Sequence, residues 1–249
     1  MDEKLLEEII QKYPAFKCLL DDNGALGIAQ NSYEKIIGIQ RDYEIDVKRD
    51  LQRVINRCRE RSLITNELSH LDKHYAPQIV SRVKSLDSVY PKIAKKEITW
   101  KDLPLDDTIG YRLICRFLDE ALELRTILDD ELNKPPFTIT SRFPRTNSGE
   151  WSEKEINSGY RSYDFAFVYK RQELGIELEG ELQVRTVLQH AWAEVSHDTF
   201  YKNESLAAAS EDYLQNLVKQ MHALSDMLFA VDTCFVQLRK LTGLAKLFI

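Results

Sequence analysis

Polar side chains occupy every second position of one otherwise apolar segment, Glu181-Leu182-Gln183-Val184-Arg185. Because side chains alternate between the two faces of a β-strand, the carboxylate, the amide and the guanidinium would share one face. Such groups are costly to bury unless they have polar partners. The segment therefore predicts a strand whose polar face is either open to solvent or lines a polar pocket.

A second acid, Asp107, stands at the start of the apolar segment DTIGYRLIC. If this segment is a strand next to the one that carries Glu181, the two carboxylates could hold one Mg²⁺, which prefers one or two carboxylates plus substrate phosphates. Strict alternation puts Asp107 and Arg112 on opposite faces, so a bend near Gly110 would be needed for both to serve one pocket. The alternative for a lone Asp at this position is a turn or capping function.

Cations and hydroxyls cluster in the segment RVKSLDSVYPK, which includes Arg82, Lys84, Ser85 and Lys92. If a strand ends at Val83 and a helix begins at Ser85, backbone N–H groups and cations meet at one junction. Helix N-termini stabilise anions, so the junction could hold a polyphosphate, with Lys92 two helical turns further along. The alternative is an ordinary N-cap serine with surface cations around it.

An aromatic residue, Tyr160, follows Ser158-Gly159 at the entrance to a β-rich segment. Glycine permits an unusual backbone turn there, so the tyrosine ring could be presented to a flat base. Stacking of a base on an aromatic ring is worth roughly 1–3 kcal/mol. The alternative is a tyrosine that packs at the start of the strand.

The elements that must position these residues are five short β-rich runs with helices between them. The runs cover residues 78–83, 108–117, 137–142, 163–169 and 176–184, and the helical stretches cover 85–94, 120–132 and 187–202. The last two runs are separated by a short polar segment that suits a hairpin, which makes the sheet mixed. We therefore predict an α+β fold with a mixed five-stranded sheet flanked by helices.

Helical extensions flank this domain, which we place at residues 76–202, with extensions at 1–75 and 203–249. A long helix before it has apolar residues at helical spacing: Ile45, Val47, Leu51, Val54, Ile55 and Cys58. Its interleaved acids and bases predict a solvated face, with a polyanion-binding face as the alternative. The helix after the domain has an apolar stripe expected to pack on the core: Leu214, Leu217, Val218, Met221, Leu224, Leu228, Val231 and Phe235.

Composition narrows the class of protein further. The 249 residues are 43% hydrophobic and 30% charged, with a net charge of −6, which argues against a surface devoted to nucleic acid. No apolar run approaches the roughly 18 residues that a bilayer span requires. The start is acidic and amphipathic, and the four cysteines are far apart, so we expect neither a secretory signal, a disulfide framework nor a zinc site. The expectation is a cytoplasmic protein without a membrane partner.

Taken in order, the motifs RVKSxxSxxxK, DxxGxR, GYRSY and ExQxRT resemble the synthetase domain of the RelA/SpoT alarmone synthetases. The segment HAWAE that follows is similar to the small single-domain members. The resemblance spans residues 79–202. It implies a nucleotidyltransferase-like fold and an enzyme that transfers pyrophosphate from ATP to the 3′-hydroxyl of GDP or GTP, with Mg²⁺ as cofactor.

The resemblance also implies a function for individual residues. Asp107 and Glu181 would be catalytic and would ligate Mg²⁺, with Glu181 alternatively the base for the 3′-hydroxyl. The ATP phosphates would be held by a set of cations and one hydroxyl: Arg82, Lys84, Ser85, Lys92 and Arg112. The acceptor would be bound by an aromatic, an amide and two bases: Tyr160, Gln183, Arg185 and His190.

One position departs from the family pattern. Asp164 stands where family members usually carry His, near the acceptor. A carboxylate there disfavours a phosphate-bearing acceptor, so the alternative is a toxin that pyrophosphorylates the 3′ CCA end of tRNA. A non-catalytic nucleotide sensor is a second alternative. The C-terminal helices could also bind an antitoxin or form a homo-oligomer.

Overall fold

The computed structural model describes residues 28–65, 77–84, 109–143, 159–171, 176–197, 199 and 209–245. Its helices are α1 (Ile28–Thr65), α2 (Leu118–Glu131), α3 (Val187–Ser196) and α4 (Glu211–Ala245). Its strands are β1 (Gln78–Val83), β2 (Ile109–Cys115), β3 (Phe137–Phe143), β4 (Tyr163–Arg171) and β5 (Ile176–Thr186). The predicted helix at 85–94 and both predicted domain boundaries lie outside the described residues.

The five strands form one mixed sheet in the order β1-β2-β5-β4-β3. β2 and β5 are parallel, whereas β1 with β2, β4 with β5 and β3 with β4 are antiparallel. β4 and β5 pair from Tyr163 opposite Val184 to Arg171 opposite Ile176, as the predicted hairpin requires. The prediction of an α+β fold with a mixed sheet and flanking helices is confirmed.

One face of the sheet is apolar and forms the core against α1 and α2. Its largest buried side chains come from alternate positions of β2, β4 and the start of β3: Tyr111, Tyr163, Phe165, Phe167, Tyr169 and Phe137. From α1, Val47, Leu51 and Val54 are at most 1% exposed. Ile45 was predicted to share this stripe but is 75% exposed. It lies two residues, about 200° of helical rotation, from the buried Val47, so it faces solvent.

Polar contacts fasten α1 to the rest of the core. Arg57 donates to Glu131 of α2 at 3.0 Å, and the buried Asp50 accepts from Tyr169 at 2.9 Å and from Arg171 at 3.0 Å. Further arginines of α1 are paired with carboxylates: Arg49 with Asp46, Arg53 with Asp50 and Arg61 with Asp130. These pairs favour the predicted solvated, ion-paired face over the polyanion-binding face.

The C-terminal helix α4 docks on the domain through polar side chains, which corrects the predicted apolar stripe. Leu224, Val231 and Phe235 were expected in the core but are 39%, 40% and 42% exposed. The face that contacts the domain instead carries three polar residues at seven-residue intervals: Ser225, Asp232 and Arg239. Hydrogen bonds and ion pairs therefore contribute to the docking of this helix, together with apolar contacts such as that of Val236, which is 8% exposed. None of the helices in the described ranges has the length and apolar character needed to cross a membrane.

Asp232 provides a test of that polar docking. It is 1% exposed and accepts a hydrogen bond from the hydroxyl of Thr186 at the end of β5. Burial raises the pKa of Asp232 to about 6, and the hydrogen bond from Thr186 only partly opposes this. A carboxyl whose pKa in the folded state lies above its value of about 3.9 in unfolded chains opposes folding when it is ionised. The penalty is complete above pH 6 and fades as the pH falls towards 4.

We therefore expect Asp232→Asn, which keeps an acceptor for Thr186, to raise the free energy of unfolding by about 1–2 kcal/mol at pH 8. The gain should disappear near pH 4. Urea unfolding at both pH values measures it, with Glu211→Gln at the exposed start of the same helix as the charge-matched control. A variant less stable than wild type at pH 8 would show that the ionised carboxylate supports docking.

Candidate functional site

The polar residues of β5 share one face of the sheet, as the alternation predicts. Register places Gly110 and Arg112 of β2 opposite Glu181 and Gln183, respectively. On the other side of β5, Asp164 of β4 is opposite Gln183. Opposed residues on paired strands project to the same face, so Asp164, Gln183 and Arg112 form one polar row across three strands. This row lies on the face away from α1 and α2.

A cleft opens on this face, between β1, β2 and β5. Five predicted site residues line it: Arg82, Lys84, Arg112, Glu181 and Gln183. Its other lining residues are Val80, Ser81 and Gly110. The predicted Ser85, Lys92 and Asp107 lie outside the described residues. Three cations around one carboxylate are suited to a polyanion that also carries a divalent cation.

Gln183 joins the two sides of the site. Its Nε2 donates to Glu181 Oε2 at 2.8 Å and to the Tyr160 hydroxyl at 3.2 Å. Its Oε1 accepts from Arg112 Nε at 3.3 Å. Because one amide bonds the cleft carboxylate, a cleft cation and the tyrosine, it fixes their relative positions. Gln183 is thus a positioning residue as well as a lining residue.

Tyr160 is held by polar contacts on its hydroxyl. The hydroxyl donates to Asp164 Oδ2 at 2.8 Å and accepts from Arg185 Nη2 at 2.6 Å. Burial, followed by the charge of Asp164, raises the pKa of Tyr160, so the phenol stays protonated and remains a donor. The guanidinium carbon of Arg185 lies 5.1 Å from the centroid of the tyrosine ring, and the Phe143 ring centroid lies 5.9 Å away. The stacking of a base on Tyr160 stays a prediction.

Asp164 is directed at this network and does not line the cleft. Its carboxylate accepts from the hydroxyls of Tyr160 and Ser162. Burial raises the pKa of Asp164, and the positive charge of Arg185 opposes that rise. Arg185, predicted to bind the acceptor, is 3% exposed and also donates to Ser162 at 3.0 Å. Arg185 and Asp164 therefore orient Tyr160 through hydrogen bonds to its hydroxyl group.

Helix α3 adds a carboxylate that the sequence reasoning did not single out. Glu194 Oε1 accepts from Arg112 Nη1 at 2.6 Å, so Arg112 is anchored both by α3 and by Gln183. His190 lies one turn before Glu194. Burial, then the charge of Arg112, lowers the pKa of His190, so its imidazole is neutral at pH 7. The i, i+4 spacing of His190 and Glu194 on a helix was the available signal for a shared face.

The N-terminus of α3 follows directly from the functional strand. Thr186, the last residue of β5, accepts a hydrogen bond from the backbone N–H of Gln189, and the Gln189 side chain accepts from the Thr186 N–H. This reciprocal capping box fixes where the strand ends and the helix begins. It thereby sets the position of His190 and Glu194 relative to the cleft.

Two curated relatives match this chain in sequence. The GTP pyrophosphokinase YjbM of Bacillus subtilis (strain 168) is 29% identical over 127 residues, which are 50% of this chain and 56% of YjbM. The GTP pyrophosphokinase YwaC of the same organism is 25% identical over 185 residues, which are 68% of this chain and 80% of YwaC. The chain therefore spans little more than half the length of YjbM and most of YwaC.

Solved structures share the fold along most of the chain. Small alarmone synthetase 1 from Bacillus subtilis, bound to its product pppGpp, has a TM-score of 0.61 and 21% identity and covers 86% of this chain and 98% of its own. A GTP pyrophosphokinase family protein from Streptococcus pneumoniae has a TM-score of 0.59 and 21% identity, with 88% and 98% covered. The family model for the region found in RelA / SpoT proteins matches residues 81–206, about half of the chain. Because this match covers just over half of the chain, the chain belongs to the RelA/SpoT family, and the matched region includes Arg82, Arg112, Glu181 and Gln183 of the cleft.

Proposed function

We propose that this protein transfers the β,γ-pyrophosphate of ATP to the 3′-hydroxyl of GDP or GTP and thereby makes (p)ppGpp. The observation that carries the proposal is the cleft in which Arg82, Lys84 and Arg112 surround Glu181, joined through Gln183 to Tyr160. Two sequence relatives are named GTP pyrophosphokinases. One structural neighbour is described with pppGpp as its product, and the same synthetase also with AMPCPP bound.

The residues of the site have separate functions in the proposed reaction. Arg82, Lys84 and Arg112 bind the ATP phosphates and oppose the charge that develops on them. The 3′-oxygen of the acceptor attacks the β-phosphorus, the bond from that phosphorus to the α,β-bridging oxygen breaks, and AMP leaves with that oxygen. The proton of the 3′-hydroxyl passes to the carboxylate of Glu181. Gln183 keeps Glu181 in register with Tyr160, against which the acceptor base stacks.

The residues fit Mg²⁺ as the cofactor. Glu181 offers a hard carboxylate on the cleft wall, and its Oε2 accepts a hydrogen bond of 2.8 Å from Gln183 Nε2. Mg²⁺ is bound in proteins by one or two carboxylates together with substrate phosphates, so Glu181 and the predicted Asp107 would hold it. When bound, Mg²⁺ neutralises phosphate charge during transfer.

The contacts of Asp164 bear on which acceptor is used. Its carboxylate bonds Tyr160 and Ser162 and lies close to Arg185, so its charge is opposed locally and is not presented on the cleft wall. The charge of Asp164 therefore does not argue against a guanine nucleotide as acceptor. Protein with Mg²⁺ and ATP labelled at the γ-phosphate would be offered GDP, GTP, AMP, ADP and deacylated tRNA in parallel.

Label on GDP or GTP is the expected result of that assay. Label on tRNA alone would contradict the proposal and favour the toxin that modifies tRNA. Label on an adenine nucleotide alone would show that the acceptor is not a guanine nucleotide. Absence of transfer to every acceptor would contradict the proposal and favour a nucleotide sensor.

A further inference from the structure

Helix α4 contacts the residues immediately before and after Tyr160. This helix lies beyond the region matched by the family model. Before Tyr160, Gly159 has a φ of +70°, in the left-handed region that glycine tolerates. A Cβ at Gly159 would lie 3.1 Å from His222 and 3.5 Å from Ser225, both on α4. The Ser225 hydroxyl donates to the Gly159 carbonyl. The backbone turn before Tyr160 is therefore packed tightly against α4.

After Tyr160, Arg161 is held by the next residues of the same helix. Its side chain is 7% exposed and forms an ion pair with Asp226. Its guanidinium carbon lies 4.6 Å from the centroid of the Phe229 ring, within cation–π range. Ser225, Asp226 and Phe229 thus contact the residues immediately before and after Tyr160.

Helix α3 keeps α4 in place at this point. Trp192 Nε1 of α3 donates to the Met221 carbonyl of α4 at 3.0 Å. A Cβ at Gly159 would also lie 3.1 Å from the Trp192 ring, so the turn is enclosed by both helices. The position of Tyr160 depends on the hydrogen bonds of its own hydroxyl and on the contacts that α4 makes with Gly159 and Arg161.

We propose that Ser225, Asp226 and Phe229 are positioning residues that set the affinity for the acceptor by holding the Gly159–Arg161 turn. This inference rests on the proposed function, because it takes Tyr160 as the residue on which the acceptor base stacks. None of the three residues lines the ATP-phosphate cleft. Removing the contacts of these residues with the Gly159–Arg161 turn should therefore weaken acceptor binding and leave ATP binding unchanged.

The test compares the double variant Ser225→Ala/Asp226→Asn with wild type and with two reference variants. Asp226→Glu keeps the carboxylate on Arg161, and Asp212→Asn removes a carboxylate from an exposed position of the same helix. We expect the double variant to raise the acceptor KM about tenfold with unchanged ATP KM. Both reference variants should behave as wild type.

Hydrogen–deuterium exchange of the peptide that contains Gly159–Ser162 provides a second readout that needs no turnover. We expect faster exchange there in the double variant and unchanged exchange in the core strand β5. Unchanged exchange, an unchanged acceptor KM, or an equal rise in both KM values would each overturn the inference. If wild type transfers to no acceptor, the proposed function fails, and the exchange result alone decides whether α4 grips the turn.

Discussion

Glu181→Gln is expected to lower kcat by about a thousandfold or more while the protein remains folded. The amide keeps the size of the side chain and an oxygen that can accept from Gln183. It loses the charge that would hold Mg²⁺ and the capacity to take the proton of the 3′-hydroxyl. The measurement is the initial rate of AMP release with saturating ATP and GDP, with thermal unfolding to verify the fold.

The matched control is Glu179→Gln, which removes the same charge two positions earlier on the same face of β5. Glu179 is exposed and does not line the cleft, so this variant should turn over as wild type does. Wild-type turnover in Glu181→Gln would remove Glu181 from the chemistry. An equal loss in both variants would show that the strand face matters only for its overall charge.

Tyr160→Ala is expected to raise the acceptor KM by roughly tenfold or more, since base stacking is worth roughly 1–3 kcal/mol. The ATP KM should change little, because Tyr160 does not line the phosphate cleft. Initial rates measured over a matrix of ATP and GDP concentrations separate the two constants.

Tyr160→Phe is the informative companion, because it keeps the ring and removes the hydroxyl that bonds Asp164, Gln183 and Arg185. If stacking dominates, the phenylalanine variant retains most of the acceptor affinity. An acceptor KM that is unchanged in the alanine variant would contradict stacking on this ring. Equal losses in both variants would assign the effect to the hydroxyl network instead.

The sheet was largely predictable because its strands carry strong local signals. Each of the five runs found by β-propensity coincides with a strand, with limits that differ by at most a few residues. The polar segment between the fourth and fifth runs correctly predicted their antiparallel pairing. Alternation along β5 likewise put Glu181, Gln183 and Arg185 on one face, since the strand has no bulge in its pairing with β2 or β4.

The docking of α4 was not predictable from apolar periodicity. The most apolar stripe of this helix was expected to face the core, whereas Leu224, Val231 and Phe235 are exposed and Ser225, Asp232 and Arg239 bond the domain. Arg239 bonds Glu120 at 3.1 Å, a residue 119 positions earlier in the chain. Pairs so distant in sequence leave no local pattern, so a polar docking surface is recognised only once the partner elements are placed.

The hydrogen-bond network of the site also depends on strand register. The family motifs implied that Tyr160, Gln183 and Arg185 surround the acceptor. They did not indicate which of these residues contact one another. The offset between β4 and β5 places Asp164 opposite Gln183, and that offset is a property of the sheet. The sequence alone therefore suggested that Asp164 places an unfavourable charge near the acceptor. In the fold its carboxylate accepts hydrogen bonds from two hydroxyls.

The most direct test of pyrophosphoryl transfer compares ATP labelled at the β-phosphorus with ATP labelled at the γ-phosphorus. The purified protein, Mg²⁺ and GDP are incubated with each, and the nucleotide products are separated. Transfer of the β,γ-pyrophosphate predicts that both labels enter the guanine nucleotide in equal amount, with one AMP released for each transfer. Entry of the γ-label alone, with ADP as the second product, would show phosphoryl transfer and would contradict attack at the β-phosphorus.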